Sequence, residues 1–177
     1  MWLVKSSMLE TASRLFCVVV LLFVVRSAAQ QPPAIHISGT GIQAVEISAK
    51  DLARMPRLAV DVVEPHKGEM QHYEGVRLSE LLQRSGVELG DKLRGHALGT
   101  YIVAQASDGY AVVYSIAELD PAMTDNRIIL ADTMNGKPLA PNEGPFKMVV
   151  PGDKRPARWV RMVTALRIES ALNPSSR

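Results

Sequence analysis

The stretch GPFKMVVPGDKRPARWVRMVTALRIE, residues 144–169, carries the clearest structural signals in this chain. Two apolar runs within it, at 146–150 and 160–168, predict β-strands because aliphatic and β-branched side chains dominate them. Pro151 and Gly152 end the first run, since proline cannot donate to a sheet ladder and glycine favours a turn. The stretch therefore predicts two strands joined by an irregular loop.

The loop between these strands is strongly basic. It holds Lys154, Arg155 and Arg158, and two further cations, Lys147 and Arg161, stand in the flanking strands. Such a group of cations suits a phosphate or another small anion, because ammonium and guanidinium groups donate charge-assisted hydrogen bonds to oxyanions. The alternative is a solvated basic loop, as most runs of charge simply face water.

The first 29 residues have the pattern of a secretory signal peptide. A positively charged start precedes the apolar run at 15–25, and small residues at 27–29 offer a cleavage site. The run is short for a membrane span, although an uncleaved anchor is the alternative. We expect cleavage after Ala29 and a periplasmic or secreted protein, with no membrane contact once the signal is removed.

The composition after position 29 excludes several classes of protein. The predicted signal carries three basic residues and one acidic residue, so 17 of each sign remain and the mature charge is zero. A nucleic-acid partner is not expected, because that needs a net positive face. The one cysteine, Cys17, lies in the signal. A mature chain without a thiol has no disulfide, no cysteine-bound metal and no cysteine nucleophile.

The remaining chain divides into a leader at 30–34, one domain at 35–170 and a polar tail at 171–177. Many short strands and two or three short helices predict an α+β fold with mixed sheets. Tight turns are expected at Asp108-Gly109 and Asn135-Gly136. Capping boxes are expected at two short helices, where Ser48 is followed by Asp51 and Ser115 by Glu118.

Three finer expectations concern individual elements. The run at 58–64 is β-branched and predicts a buried strand. Ser79 is expected to cap a helix at 78–85. In the last strand, strict alternation predicts that Val160, Met162, Thr164, Leu166 and Ile168 share one face.

Several groups of polar residues are candidate sites. His66 and His72, with Glu64 and Glu69, could bind a metal, but their spacing matches no tight ligand motif and exposed loop histidines are the favoured interpretation. Glu143 and Asp153 could be general acid and base groups. Ion pairs of these carboxylates with Lys147, Arg155 or Arg158 are the alternative.

Two aromatic residues are further candidates for a site, and several common motifs are missing. Tyr110 beside Asp108, and Trp159, could face a ligand or simply pack in the core. The motifs GxSxG, GxGxxG and GxxxxGK[ST] are absent, so local support for a serine hydrolase or a nucleotide-binding loop is lacking.

Taken together, several motifs resemble the molybdopterin-binding domain of the sulfite oxidase family. The resemblance runs from about residue 35 to residue 169, and its most specific part is the ending GPxxxVVPG…RWV. The motifs that carry it are YEGVRL at 73–78, SDGY at 107–110, NGKPL at 135–139, GPFKMVVPG at 144–152 and RWV at 158–160.

The resemblance implies an α+β domain that holds a pyranopterin cofactor, molybdopterin, with its phosphate among basic residues. Arg158 stands where the family commonly has a lysine, and Lys154 and Arg155 would assist it. Asp108 and Tyr110 fall on a turn that lies near the cofactor in the family. These five residues are the candidate cofactor-binding residues, whereas no catalytic residue and no metal ligand is assigned.

The chain departs from the family at the metal. Family enzymes bind molybdenum through a cysteine thiolate in a loop that follows a strand like 58–64, and here residues 63–68 read VEPHKG. The family's histidine before the Gly-Pro is also replaced, since Asn142 and Glu143 stand there. The fold and the anion pocket are expected to carry over, but the redox centre is not.

Three functions follow from this pattern. The first is a non-catalytic binding module for a pterin cofactor or a small anionic ligand. The second is a periplasmic molybdopterin-dependent oxidoreductase in which Glu64 or His66 replaces the thiolate. The third is an accessory subunit that docks on a redox partner protein through an exposed sheet edge.

Overall fold

A computed structural model describes residues 32–63 and 68–172 of the chain. The predicted signal peptide at 1–29 and the residues Glu64 and His66 lie outside these ranges, as do parts of the leader and tail. The described residues belong to one compact unit that begins at Pro32. None of their helices is long and apolar enough to cross a membrane.

The domain has ten strands and three short helices in its described residues. The strands are Ala34–Gly39 (β1), Val45–Ser48 (β2), Arg57–Val63 (β3), Met70–Arg77 (β4), Thr100–Ala106 (β5), Ala111–Ser115 (β6), Ile129–Met134 (β7), Lys137–Pro138 (β8), Lys147–Val149 (β9) and Val163–Ser170 (β10). The helices are Ala49–Leu52 (α1), Leu78–Arg84 (α2) and Ile116–Leu119 (α3). Single 3-10 turns lie at Gly90–Lys92, Gly95–Gly99 and Pro156–Arg158.

The strands form two five-stranded sheets. The first has the order β2-β1-β10-β5-β6, in which only β1 and β10 run parallel. The second has the order β3-β4-β7-β8 with β9 also paired to β7, and it is antiparallel throughout. This architecture confirms the predicted α+β class.

Both sheets contribute side chains to one apolar core. Ile37 and Leu166 of the first sheet and Leu130 and Met148 of the second are all inaccessible to solvent or nearly so, and they belong to one buried cluster. Helix α2 adds its apolar face to this cluster through Leu78, Leu81 and Leu82. Burial of this face stabilises a helix that is too short to form by itself.

The predicted tight turns and the two predicted capping boxes are confirmed. Asn135 and Gly136 have φ values of 50° and 74°, as the two central residues of a type I′ turn require. The turn between β5 and β6 is closed by the Gly109 N–H, which donates to the carbonyl oxygen of Ala106 at 3.2 Å, and Gly109 has a φ of 89°. Ser48 and Ser115 each close a capping box, with Asp51 and Glu118.

Two local predictions are wrong. Strand β3 is an edge strand, and its residues alternate between exposed and buried rather than being buried throughout. Ser79 does not cap α2: Arg77 is the N-cap without a side-chain hydrogen bond, and Ser79 is buried. Strand β4 leads directly into α2, so the helix begins one residue before the serine that the sequence pattern favoured.

The last strand also departs from its predicted alternation. Met162 has a left-handed φ of 51°, and the register of β10 against β5 shifts between Val163 and Ala165. The shift moves Val163 into the core and leaves Thr164 exposed, whereas Leu166 and Ile168 are buried as predicted. A one-residue irregularity reverses the two faces of a strand, which explains the error before residue 165.

Candidate functional site

A cavity of about 680 Å³ opens where segments of both sheets meet. Strand β4, the β5–β6 turn, the end of β7, strand β9 and the loops on either side of β9 all contribute to its wall. Its lining residues are Gln71, Tyr73, Ala106, Asp108, Tyr110, Met134, Ala140, Asn142, Glu143, Lys147, Pro156, Ala157, Trp159 and Arg161. The volume falls in the range of pockets that hold cofactors and small molecules.

Lys147 is the buried cation of this cavity. Pairing of β9 with β7 places it opposite Ala131, and only 7% of its side chain is exposed. Its Nζ donates to Glu143 Oε1 at 2.9 Å and to the Tyr73 hydroxyl at 3.1 Å. It also lies 5.0 Å from the ring centre of Tyr73 and 5.8 Å from that of Trp159. These contacts supply the partners that a buried ammonium group needs.

Tyr73 and Trp159 fix the aromatic part of the wall. Their rings meet edge to face, with centroids 6.1 Å apart. The indole Nε1 of Trp159 donates to the carbonyl oxygen of Val150 at 3.0 Å, which anchors the ring at the end of β9. Both side chains are almost fully buried, yet both border the cavity. Trp159 is therefore at once a core residue and a wall residue.

Arg161 is the second cation on the cavity wall. Its side chain is exposed, and within residues 32–63 and 68–172 it makes no ion pair. The next residue, Met162, holds this position in place, because its N–H donates to the carbonyl oxygen of Glu143 at 2.9 Å. The left-handed φ of Met162 is rare for a residue with a side chain. Arg161 thus stands on a bend that is fixed against the Glu143 segment.

The basic loop is held by its own arginine. The Arg158 guanidinium donates to Asp153 through Nε at 3.0 Å and through a terminal nitrogen at 2.8 Å, and to Glu118 at 2.9 Å. It lies 5.4 Å from the ring centre of Tyr114, whose hydroxyl donates to the Arg158 carbonyl oxygen. The hydrogen bond to Asp153 raises the pKa of Arg158, and burial raises the pKa of Tyr114. The Arg158 side chain therefore contacts the basic loop and helix α3, and it does not line the cavity.

The structure brings only some of the five predicted site residues together. Asp108 and Tyr110 line the cavity, and the Tyr110 hydroxyl donates to the carbonyl oxygen of Ala157 at 2.6 Å across its rim. Lys154 and Arg155 are exposed and do not line it. The basic loop meets the cavity through Pro156 and Ala157 instead. Whether any of the five residues binds a cofactor stays a prediction.

Sequence reasoning noted Lys147 and Arg161 only as cations beside the loop. It did not place Tyr73, Gln71 or Met134 at a site at all, and it noted Asn142 only as standing where the family has a histidine. Tyr73 stands in a motif that resembles the family, but its contact with Lys147 joins residues 74 positions apart. Only the pairing of β4 and β9 with β7 brings them together.

The two candidate acid–base carboxylates are ion-pair partners in the structure. Glu143 pairs with Lys147, and Asp153 pairs with Arg158. Both pairs are partly buried, with carboxylate side chains 22% and 19% exposed. The structure thus confirms that these carboxylates form the ion pairs that the sequence offered as an alternative to acid–base groups.

His72 lies on the sheet away from the cavity lining. Its Nδ1 is 2.7 Å from Asp61 Oδ1, and its Nε2 is 3.4 Å from Glu74 Oε1. The hydrogen bond to Asp61 raises the pKa of His72. No group of three His, Cys, Asp or Glu residues that could hold a metal occurs in the part of the chain that the structure describes. Glu64 and His66 lie outside that part, so the structure does not test their ligand role.

The donors of the cavity fit one part of a molybdenum cofactor and not the other. Two cations, two side-chain amides and three aromatic rings suit a flat heterocycle that carries an anionic group. Molybdenum ligation by a protein thiolate does not fit, because Cys17 is the only cysteine in the chain. Met134 offers the only sulfur among the lining residues, and a thioether is a neutral, weaker donor.

Two sheets that enclose such a cavity define a ligand-binding α+β domain. The sequence model of the family described as "Oxidoreductase molybdopterin binding domain" matches residues 28–176, and the chain belongs to this family. Its fold is similar to the crystal structure of the sulfane dehydrogenase SoxCD from Paracoccus pantotrophus, with a TM-score of 0.61 and 22% sequence identity. The match covers 77% of this chain and 38% of that chain. None of the curated protein sequences matches.

These comparisons confirm the resemblance to a sulfite oxidase-like molybdopterin fold. The chain spans well under half of the length of the sulfane dehydrogenase chain that it matches. Because that identity is low, the likeness supports the fold and leaves the activity to be argued from the site.

Proposed function

We propose that this protein is an exported, non-catalytic binding module that takes up a pterin cofactor or a related small anion in the cavity. The observation that supports this most directly is the wall itself, where Arg161 and Lys147 stand beside the rings of Tyr73 and Trp159. In this proposal Arg161 binds the anionic group of the ligand. The aromatic side chains and the amides of Gln71 and Asn142 face its heterocycle.

The binding role is proposed in place of redox catalysis because of the missing thiolate. A molybdenum centre would supply two-electron and oxygen-atom transfer chemistry to a protein that holds it. The chain after position 29 contains no cysteine that could clamp such a centre. The organic part of the cofactor, which needs only hydrogen bonds, ionic contacts and packing, remains compatible with the residues present.

Export is the second part of the proposal and rests on the sequence of the first 29 residues. Cleavage after Ala29 would leave a protein that starts at Gln30 in the periplasm or outside the cell. N-terminal sequencing of the protein from fractionated cells tests this. A start at Met1 in the membrane fraction would contradict it.

The binding role is tested with the protein's own fluorescence. Trp2 and Trp159 are the only tryptophans, so a chain that starts at Gln30 reports from the cavity wall alone. A phosphorylated pterin is titrated into the protein, and quenching of Trp159 is followed. We expect saturable quenching, and Arg161→Ala should weaken the affinity about tenfold or more, because a charge-assisted hydrogen bond is lost.

Arg155→Ala is the matched control for this experiment. It removes the same charge from an exposed position that does not line the cavity, so the affinity should change less than about twofold. Equal losses in the two variants would move the site from the cavity to the basic loop. Absence of any quenching in the folded protein would contradict the proposed function.

A further inference from the structure

The cavity wall carries two charges of each sign. Lys147 and Arg161 are the cations, and Asp108 and Glu143 are the carboxylates. Asp108 is engaged locally, since its Oδ1 accepts from the Tyr110 N–H at 3.0 Å. Glu143 is different, because its Oε1 lies 2.9 Å from the Nζ of Lys147, the deepest cation of the wall. Two of the three N–H donors of Lys147 are thus already used within the protein, by Glu143 and Tyr73.

Any oxyanion that approaches Lys147 must also approach Glu143. Two carboxylate-type oxygens repel each other and offer only acceptors, so a bare oxyanion beside Glu143 meets a like charge without a hydrogen bond between them. An oxyanion that still carries a proton avoids this penalty. Its O–H donates to the Glu143 carboxylate while its other oxygens accept from Lys147 or Arg161.

The backbone keeps Glu143 in this position. Its carbonyl oxygen accepts from Met162 N–H at 2.9 Å, and its own N–H donates to the carbonyl oxygen of Ala140 at 2.8 Å. The carboxylate therefore cannot leave the wall without breaking these contacts or the ion pair. A carboxylate fixed in this way discriminates between ligands. An oxyanion without a proton is repelled by it and makes no hydrogen bond with it.

We propose that Glu143 is a specificity-determining residue, which admits oxyanions that carry an acidic proton, such as phosphate monoesters, and excludes those that carry none, such as sulfate monoesters. The inference rests on the proposed function in one respect, namely that anions bind in this cavity. It goes further by assigning the choice between oxyanions to one side chain.

The test uses two small anions that differ in little except this proton. At about pH 5, below the second pKa of phosphate esters, methyl phosphate is mainly a monoanion with one O–H. Methyl sulfate is a monoanion with none. Their affinities for the protein are measured by Trp159 fluorescence and by calorimetry at fixed ionic strength. We expect the wild-type protein to prefer methyl phosphate about tenfold or more.

Glu143→Gln should remove this preference. The amide has nearly the shape of the carboxylate, carries no charge and can donate to an oxyanion, so the affinity for methyl sulfate should rise about tenfold. Glu88→Gln is the matched control. Glu88 also pairs with a lysine four residues later, at 2.7 Å from Lys92 Nζ, but it lies outside the lining of this cavity. The control should retain the wild-type preference.

The outcomes distinguish failure of this inference from failure of the proposed function. Equal affinities of the wild-type protein for the two esters would overturn the inference and leave the cavity as an anion site. The same preference in Glu143→Gln as in the wild type would also overturn it. Binding of neither ester to the folded wild-type protein or to Glu143→Gln would overturn the inference and the anion site together. The wild-type comparison stands even if Glu143→Gln fails to fold.

Discussion

At the scale of single residues, Lys147 and Glu143 show how one ion pair serves two purposes. The pair crosses from β9 to the loop before it and brings a charge into contact with Tyr73 and Trp159. A buried ion pair is costly to desolvate, so its presence is weak evidence for stability alone. Both side chains line the cavity, so the ligand binding proposed above gives the pair a second role besides stability.

Lys147→Met should therefore destabilise the protein through the partner left behind. Glu143 would lose the cation that compensates its partial burial, and we expect a loss of about 2 kcal/mol in the free energy of unfolding, below the range for fully buried pairs. The double variant Lys147→Met with Glu143→Gln should recover most of this loss. Urea denaturation of the wild type, of each single variant and of the double variant measures the coupling energy between the two side chains.

Lys92→Met is the control for that cycle. Its pair with Glu88 has the same spacing, but the two side chains are 69% and 66% exposed. Loss of an exposed pair should cost less than about 0.5 kcal/mol. Equal costs for Lys92→Met and Lys147→Met would show that the cavity pair has no special energetic role.

His72 gives a prediction of pH dependence at the same scale. The hydrogen bond from His72 to Asp61 raises its pKa in the folded protein above the ordinary value of about 6.5. The folded state then holds this proton more tightly than the unfolded state. The resulting stabilisation is complete below the ordinary pKa and is lost as the pH rises through the raised value.

An NMR titration of the His72 ring checks this. The wild-type pKa should lie above that of Asp61→Asn, because the amide cannot hold the proton of the imidazolium as a carboxylate does. Asp51→Asn, which alters a carboxylate in the capping box of α1, should leave the titration unchanged. A His72 pKa that is the same in all three proteins would contradict the assignment.

At the scale of elements, the loop between β9 and β10 is organised by its contacts with the β5–β6 hairpin and α3. Tyr110 and Tyr114 donate to the carbonyl oxygens of Ala157 and Arg158, and Arg158 pairs with Glu118 at the first turn of α3. These bonds turn part of a basic loop into a fixed wall of the cavity. Part of the positive charge of this loop, that of Arg158, therefore stabilises the fold through ion pairs.

The pairing of β4 with β7 depends on a glycine at a close approach of two backbones. A Cβ added at Gly75 would lie 2.1 Å from the carbonyl oxygen of Leu130, beside the register shift between Glu74 and Gly75. Gly75→Ala should thus push the strands apart and cost about 3 kcal/mol in the free energy of unfolding. Thermal and urea denaturation measure this loss.

Glu74→Ala is the neighbouring control for Gly75→Ala. It removes a half-exposed side chain at the same irregularity without adding an atom between the strands, so it should cost less than about 1 kcal/mol. A cost for Gly75→Ala that is no larger than this would show that the two strands separate easily.

At the scale of the whole molecule, the two sheets place charged, aromatic and amide side chains around one cavity, and the sequence after position 29 offers no thiolate for a metal. This combination predicts which ligands the protein carries when it is isolated from the cell. The protein purified from its native compartment should contain a pterin or another small anion and should lack stoichiometric molybdenum. The reason is that its only cysteine is Cys17, within the predicted signal.

Elemental analysis and pterin fluorescence after acid oxidation measure this content. A sulfite oxidase-type enzyme from the same cells, carried through the same purification, is the positive control for the metal. One molybdenum per chain would contradict the binding-module proposal and would favour ligation by another side chain, such as Glu64 or His66.

Local chemistry made part of this structure predictable. The Asn135-Gly136 turn, the capping boxes at Ser48 and Ser115 and most strand positions follow from interactions between neighbours in the chain. The bend at Met162 did not follow from them, because methionine carries no local preference for a left-handed φ. Since that bend reverses the strand before residue 165, the predicted faces of β10 were wrong there.

The sequence by itself determined the α+β class, the family resemblance and the absence of a thiol after position 29, because each depends on composition or on short-range pattern. Only the tertiary structure decided which cations face the cavity. Arg158 turns to Asp153 and Glu118, whereas Lys147 and Arg161 line the wall with Tyr73 and Glu143. The physical reason is that a cation binds whichever acceptor the packing of distant strands brings within reach, and the order of residues along the chain does not contain that distance.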